Sequence, residues 1–242
     1  MKQIKALSAF TLVLLFTGST LQAQFVQEKR ISATENYINN QVMRILVTDA
    51  STKKSVETDL TVRGLNPRKP VDMKATADTT FEIRNYRLYT VSCVEKGYMY
   101  YAEKFWPEEK ELHLQQVKLK TLAVGQTTDI RDISFLGNKT EIYHKSKPAL
   151  AELKEFMTVN PNVRIEVIGH VNGPDNAKSQ KFYNKASLER AQAVVDYLIS
   201  EGIDKDRFEA VGKGNTEMMY PDPQTEWQNE ANRRIQIKVI DL

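Results

Sequence analysis

The sequence predicts an α+β chain: an N-terminal all-β sandwich followed by an α/β sandwich. Two changes of rhythm carry this reading. Over residues 41–122, apolar and polar residues alternate in short runs broken by Gly, Pro, Asn and Asp, the pattern of strands and turns. Over residues 125–242, helically spaced stretches alternate with strand-like runs. The composition agrees: 242 residues, 41% hydrophobic and 27% charged, are those of a globular chain of one or two domains. The single cysteine rules out an internal disulfide, so the cores must rest on apolar burial.

Residues 1–24, MKQIKALSAFTLVLLFTGSTLQAQ, read as a secretory signal peptide. Lys2 and Lys5 precede an apolar core over Leu7–Phe16, and small or polar residues follow, with a cut near Ala23 or Gln24. The core is short for a bilayer span and charge resumes at Glu28 and Lys29, so no transmembrane segment is expected after cleavage. No cysteine near the cut offers a lipid attachment point. Cleavage removes two lysines and no acid, taking the net charge from +3 to 3 − 2 = +1. With no Lys/Arg cluster, that balance excludes a nucleic-acid partner. Residues 25–40, FVQEKRISATENYINN, read as a polar leader or tether.

Strands are expected at VMRILVTD, with Met43, Ile45 and Val47 on one face, and at DLTVRGL, TFEIR, YRLYTVSCVE and YMYYAEKF. In ELHLQQVKLKTL the alternation through Leu112 and Leu114 changes phase before Val117 and Leu119, which predicts a bulge or break. Cys93 is expected to be a small buried residue. Trp106, Tyr98, Tyr100 and Tyr101 suit a sandwich core and its strands; an exposed aromatic patch is the alternative. The stretch 46–101, with its Y-x-V…KGY segment, resembles the small sandwiches of the carboxypeptidase-regulatory or transthyretin-like type.

Farther on, DISFL (132–136) reads as a strand. A helix follows with Ser146 as cap, Pro148 in its first turn and Leu150, Leu153, Phe156 and Met157 on one stripe, ending at Asn160-Pro161. VRIEVIG is a strand. SLERAQAVVDYLISEGI is a helix capped by Ser187, with Leu188, Ala191, Val194, Val195, Leu198 and Ile199 as its apolar stripe and Gly202 at its end. RFEAVGKG and NRRIQIKVI are strands joined by a loop, which gives βαβαββ with two helices on one sheet.

Enzyme signatures are missing: no G-x-S-x-G, no phosphate-binding glycine loop and no H-E-x-x-H. His113, His144 and His170 lie far apart without ligands at metal spacing, so neither metal nor cofactor is expected.

The blocks Gly169-His170, Ser187 with Arg190-Ala191, Gly202-Ile203, Arg207, Gly212 with Gly214, and Asn232-Arg233-Arg234 follow one another in the order of the OmpA-like peptidoglycan-binding domain. Residues 125–241 resemble that family, and the whole layout resembles OmpA-family envelope proteins of Bacteroidetes-type bacteria. The resemblance implies a non-catalytic periplasmic protein, associated with the outer membrane, whose partner is peptidoglycan. The ligand would be the diaminopimelate of the stem peptide, whose zwitterionic end needs a cation for its carboxylate and an acceptor for its ammonium. Arg190 would take the carboxylate through a bidentate guanidinium, helped by the positive start of its helix. The family's ammonium-binding Thr-Asp pair is Val171-Asn172 here, so the acceptor at Asn172 carries no charge. Asp175, three residues on, is the candidate to fill the gap. Asn184 and Arg233 complete the implied ligand-binding set, His170 would hold the turn and Arg234 would brace the fold. The chain would tether its N-terminal sandwich, or an outer-membrane partner, to the wall. A protein–protein scaffold with weakened wall binding is the alternative, favoured by Asn172; an envelope hydrolase has no residue to nominate.

Overall fold

The alternation of Met43, Ile45 and Val47 becomes one buried face of an extended strand. The computed structural model describes residues 40–65, 71–76, 78, 80–84, 88–105, 112–130, 132–137, 139–174 and 179–242. The expected signal peptide, the leader up to residue 39, Trp106 and Asp175 lie outside the described residues.

The N-terminal region contains β1 (Asn40–Asp49), β2 (Asp59–Leu65), β3 (Val71–Thr76), β4 (Thr80–Arg84), β5 (Leu88–Cys93), β6 (Tyr101–Phe105) and β7 (Leu112–Leu119). They form two sheets, β4-β1-β7 and β3-β2-β5-β6. Both sheets contribute to one buried cluster, with Met43, Ile45, Val117 and Leu119 from the first and Leu60, Val62, Val91 and Cys93 from the second. This is the all-β sandwich expected. Cys93 is buried, and burial pushes its thiol up to about 11. Tyr100 is buried as well, and it joins the core of the following region rather than a surface patch.

Two expectations fail here. β3 has no counterpart in the sequence reading. The expected break in β7 is absent: the strand pairs with β1 in parallel, in unbroken register from Val42↔Leu112 to Asp49↔Leu119. Its phase is set by Gln115, Val117 and Leu119 facing inward, so Leu112 and Leu114 point outward at 49% and 47% exposure. Two exposed leucines had imitated a core face.

The second region runs β8 (Thr127–Ile130), α1 (Lys147–Val159), β9 (Arg164–Gly169), α2 (Gln180–Ser200), β10 (Phe208–Gly212), α3 (Glu226–Asn232) and β11 (Ile235–Asp241). The sheet order is β10-β9-β11-β8, with β9 and β10 parallel and β11 antiparallel to both of its neighbours. Leu153, Phe156 and Met157 of α1 and Ala191, Val194 and Leu198 of α2 share a core with Ile165, Val167, Ile235 and Ile237.

The expected strand at 132–136 is a loop, touching Ile142 through one bridge at Phe135. The strand lies earlier, at Thr127–Ile130, where it forms the sheet edge and needs few apolar residues. Ser146 has helical backbone angles and does not cap α1. Its hydroxyl accepts from Ser134 N (2.9 Å) and donates to Ser134 O (3.2 Å), which holds that loop. Ser187 lies inside α2 rather than at its start, because the helix begins at Gln180. Leu188 and Ile199 are 42% and 37% exposed, so the stripe is narrower than predicted. The segment read as a loop before the last strand contains α3, whose first turn is fixed by a capping box between Thr225 and Gln228.

The two regions belong to one compact unit, Tyr37–Leu242. Glu152 of α1 fastens them, accepting from Arg63 (3.1 Å), Ser92 (2.9 Å) and Tyr100 (2.8 Å). Asp132 ion-pairs with Lys104 at 2.5 Å and accepts from Thr90 at 3.3 Å.

Candidate functional site

Gly169 ends β9 and Gly212 ends β10, and the two are register partners in neighbouring strands. A Cβ on Gly169 would sit 2.0 Å from the carbonyl oxygen of Ser187, and one on Gly212 would sit 2.4 Å from that of Asn184. The paired glycines therefore let the backbone of α2 lie directly on the sheet. Ser187 locks the contact: its hydroxyl donates to Asn184 O (3.0 Å) and accepts from Gly214 N (2.8 Å). Arg190, three residues on in the same helix, is thereby fixed in place.

Arg190 lines a cavity of about 430 Å³. The walls come from Asp132, Ser134 and Phe135 after β8, Lys145 before α1, His170 after β9, and Glu230, Arg233 and Arg234 at α3 and β11. Arg63 and Lys104 contribute from the all-β region. Six basic side chains (Arg63, Lys104, Lys145, Arg190, Arg233, Arg234) face two acidic ones (Asp132, Glu230), so the cavity favours an anion.

Most of these charges already have partners. Arg63 pairs with Glu152, Lys104 with Asp132, Arg233 with Glu226, and Arg234 with Asp129 at 3.1 Å. Lys145 lies over the ring of Tyr143. Arg190 differs: its guanidinium stacks over Phe135 at 5.3 Å and makes no ion pair or side-chain hydrogen bond among the described residues. Burial lowers its pKa from the ordinary arginine value, and nearby Arg233 lowers it further. Two neighbouring guanidiniums, one with its donors unused, form a receptor for a carboxylate. Arg190 lies well beyond the first turn of α2, so the expected help from the positive helix start does not apply.

His170 is buried in the cavity wall. Its backbone N–H donates to Arg234 O at 3.0 Å, while neither ring nitrogen has a partner. Burial, and then the charge of Arg234, push its pKa down to about 4, so the ring is neutral near pH 7. Arg234 donates to Asp129 and to Glu217 O, and its Nη1 is buried without a partner.

Residues 134–233 match the OmpA family model. This OmpA-like segment contains Arg190, Arg233, His170, Phe135 and Glu230 of the cavity. Outer membrane porin F of Pseudomonas fluorescens is 31% identical over 110 residues, covering 45% of this chain and 32% of its own. Outer membrane protein A of Serratia marcescens is 33% identical over 88 residues, covering 36% of this chain and 24% of its own. The chain thus spans a third or less of the length of these curated relatives. Among solved structures, the periplasmic domain of Helicobacter pylori MotB (residues 90–256) is 17% identical, covering 50% of this chain and 76% of its own, with a TM-score of 0.43. The OmpA-like domain of FopA1 from Francisella tularensis is 15% identical, covering 81% and 92%, with a TM-score of 0.39. The peptidoglycan-associated lipoprotein from Burkholderia pseudomallei is 16% identical, covering 46% and 88%, with a TM-score of 0.38.

Of the residues singled out in the sequence, Arg190 and Arg233 meet in the cavity, whereas Asn172 and Asn184 lie outside its lining. Asn172 donates from Nδ2 to Asn229 Oδ1 (2.9 Å) and accepts at Oδ1 from Asn232 Nδ2 (2.8 Å). Asn184 Oδ1 accepts from Gln180 Nε2 at 3.0 Å. The sequence reading missed Phe135, Glu230, Lys145, Arg63 and Lys104. Only Glu230 had a local signal, since Thr225 and Gln228 three residues apart announce the helix that carries it. Among the described residues no cluster of His, Cys, Asp or Glu is arranged to hold a metal ion, and no helix is long and apolar enough to cross a membrane.

Proposed function

We propose that this chain is a non-catalytic protein of the cell envelope that binds peptidoglycan at the Arg190 cavity. The observation that carries the reading is the free guanidinium of Arg190, stacked on Phe135 beside Arg233 in a cavity rich in positive charge. The diaminopimelate of a stem peptide fits this chemistry, with its carboxylate on Arg190 and Arg233. Asn172, Asn184 and Asp175 complete the proposed ligand-binding set, with Asp175 lying outside the described residues. The OmpA-like match over residues 134–233 supports the reading. In it the chain works in the periplasm next to the outer membrane, and tethers the N-terminal sandwich or an outer-membrane protein to the wall.

The test is a pull-down with isolated sacculi. The full chain is expected to sediment with them and the Arg190→Ala variant to stay in the supernatant; equal sedimentation of the two refutes the reading. One observation favours a second reading, a protein–protein scaffold with weakened wall binding: both ends of the Asn172 carboxamide are spent on Asn229 and Asn232. Under that reading neither the wild type nor an Asn172→Asp variant binds sacculi.

A further inference from the structure

We propose that Glu230 supplies the negative charge of the cavity, so that the zwitterionic end of an amino acid is held between Arg190 and Glu230. The inference rests on the wall-binding reading and assigns the half of the ligand that Asn172 leaves uncharged.

Two carboxylates line the cavity. Asp132 is committed to the joint with the all-β region, through Lys104 at 2.5 Å and Thr90 at 3.3 Å. Glu230 is exposed, and its carboxylate makes no hydrogen bond or ion pair among the described residues. Glu226, one turn earlier on α3, already takes Arg233 and Asn229. The walls therefore present a guanidinium and a carboxylate that are both unpaired, Arg190 on α2 and Glu230 on α3. That is the charge pattern of an amino-acid end group, read in reverse.

The helix carrying Glu230 is held at both ends, so the carboxylate is positioned before a ligand arrives. The Thr225–Gln228 capping box fixes its start. At its end Asn232 Nδ2 donates to Tyr220 O (2.7 Å) and to Asn172 Oδ1 (2.8 Å). Asn172 thus becomes a brace for α3, and the acceptor for the ammonium moves from the β9 lip to the helix. Arg233 directly follows α3, and its backbone N–H donates to Glu230 O at 3.0 Å, so the two residues sit together at the end of the helix.

The experiment is a calorimetric titration of the full chain with a muropeptide bearing a free diaminopimelate amine, and with the same muropeptide acetylated at that amine. Acetylation is expected to weaken wild-type binding about tenfold, the scale of one charge-assisted hydrogen bond. Glu230→Gln, close in size and on the surface, should bind the free-amine form about tenfold more weakly and no longer distinguish the two. Asp175→Asn should keep the wild-type discrimination. A Glu230→Gln variant that still discriminates overturns the assignment, as does loss of discrimination in Asp175→Asn. If either occurs while Arg190→Ala still abolishes sacculus binding, Glu230 is the wrong carboxylate and the wall-binding reading stands. Absence of wild-type binding to both sacculi and muropeptide overturns both.

Discussion

Replacing Glu152 by Ala removes the acceptor shared by three donors from the all-β region. Arg63 Nη2 and Ser92 Oγ reach Oε1, and Tyr100 Oη reaches Oε2, all within 3.1 Å. Both members of the Arg63–Glu152 pair keep only 12% of their side-chain exposure, so the ion pair is largely desolvated. Removing one partner of a buried pair costs about 3–5 kcal/mol. The remaining solvent contact and the other interactions of Arg63 place this case at the lower end. Ser92 and Tyr100 lose about 1 kcal/mol each. Burial, reinforced by Glu152, raises the pKa of Tyr100 well above the ordinary phenol value, so its hydroxyl stays a donor throughout the usual pH range. The summed loss for Glu152→Ala is about 5 kcal/mol. Urea unfolding followed in parallel by far-ultraviolet circular dichroism and by tryptophan fluorescence measures it. The two probes should give one transition in the wild type and separated transitions in the variant, because the joint is what couples the regions. A loss under about 1 kcal/mol with coincident transitions would show that the joint carries no such energy.

Gly169→Ala should destabilise by about 3 kcal/mol in thermal melting, since its Cβ meets the Ser187 carbonyl at 2.0 Å; Gly137→Ala, with nothing within 4 Å, should change stability by less than about 0.5 kcal/mol. The depressed pKa of His170 means the unfolded chain binds a proton between about pH 6.5 and pH 4 while the folded chain does not. Stability should therefore fall as pH drops through that window, by at most about 3 kcal/mol more in the wild type than in His170→Gln, as read from urea midpoints at pH 7 and pH 4.

The sequence revealed most where burial is periodic. β1, β5, β9 and β11 and the second half of α2 carry apolar residues at the spacing of their own structure, and each was legible. α3 buries only Asn232 and leaves Trp227 57% exposed, so it has no stripe for a periodicity to detect. β8 is an edge strand of sequence TTDI, while the apolar Ile133 and Phe135 that imitated it cover the core from a loop. The first turns of α2 carry QKFYNKA, too polar for a stripe, which left Ser187 looking like a cap. The site divides along the same line. Arg190 and Arg233 were found because they stand in ordered blocks of residues. Phe135, Glu230, Arg63 and Lys104 come from separate loops, helices and strands, and only tertiary packing brings them to one wall.

The cavity is a net cost to the fold that surrounds it. Arg190 is partly buried beside a like charge, and His170 and Arg234 Nη1 are buried without partners. None of these groups holds the cavity open. That role falls to the paired glycines under α2, the Ser134–Ser146 bonds beneath the Phe135 loop, the Lys104–Asp132 pair and the Asn232–Tyr220 anchor of α3. Because the frame and the receptor use different residues, the receptor chemistry is free to change while the frame persists. The carboxamide of Asn172 belongs to the frame, bonded to Asn229 and Asn232, and takes no part in the cavity lining. A ligand that neutralises Arg190 and Glu230 together would repay part of the desolvation that the empty cavity imposes, so binding should raise the stability of this half of the chain in proportion to ligand concentration.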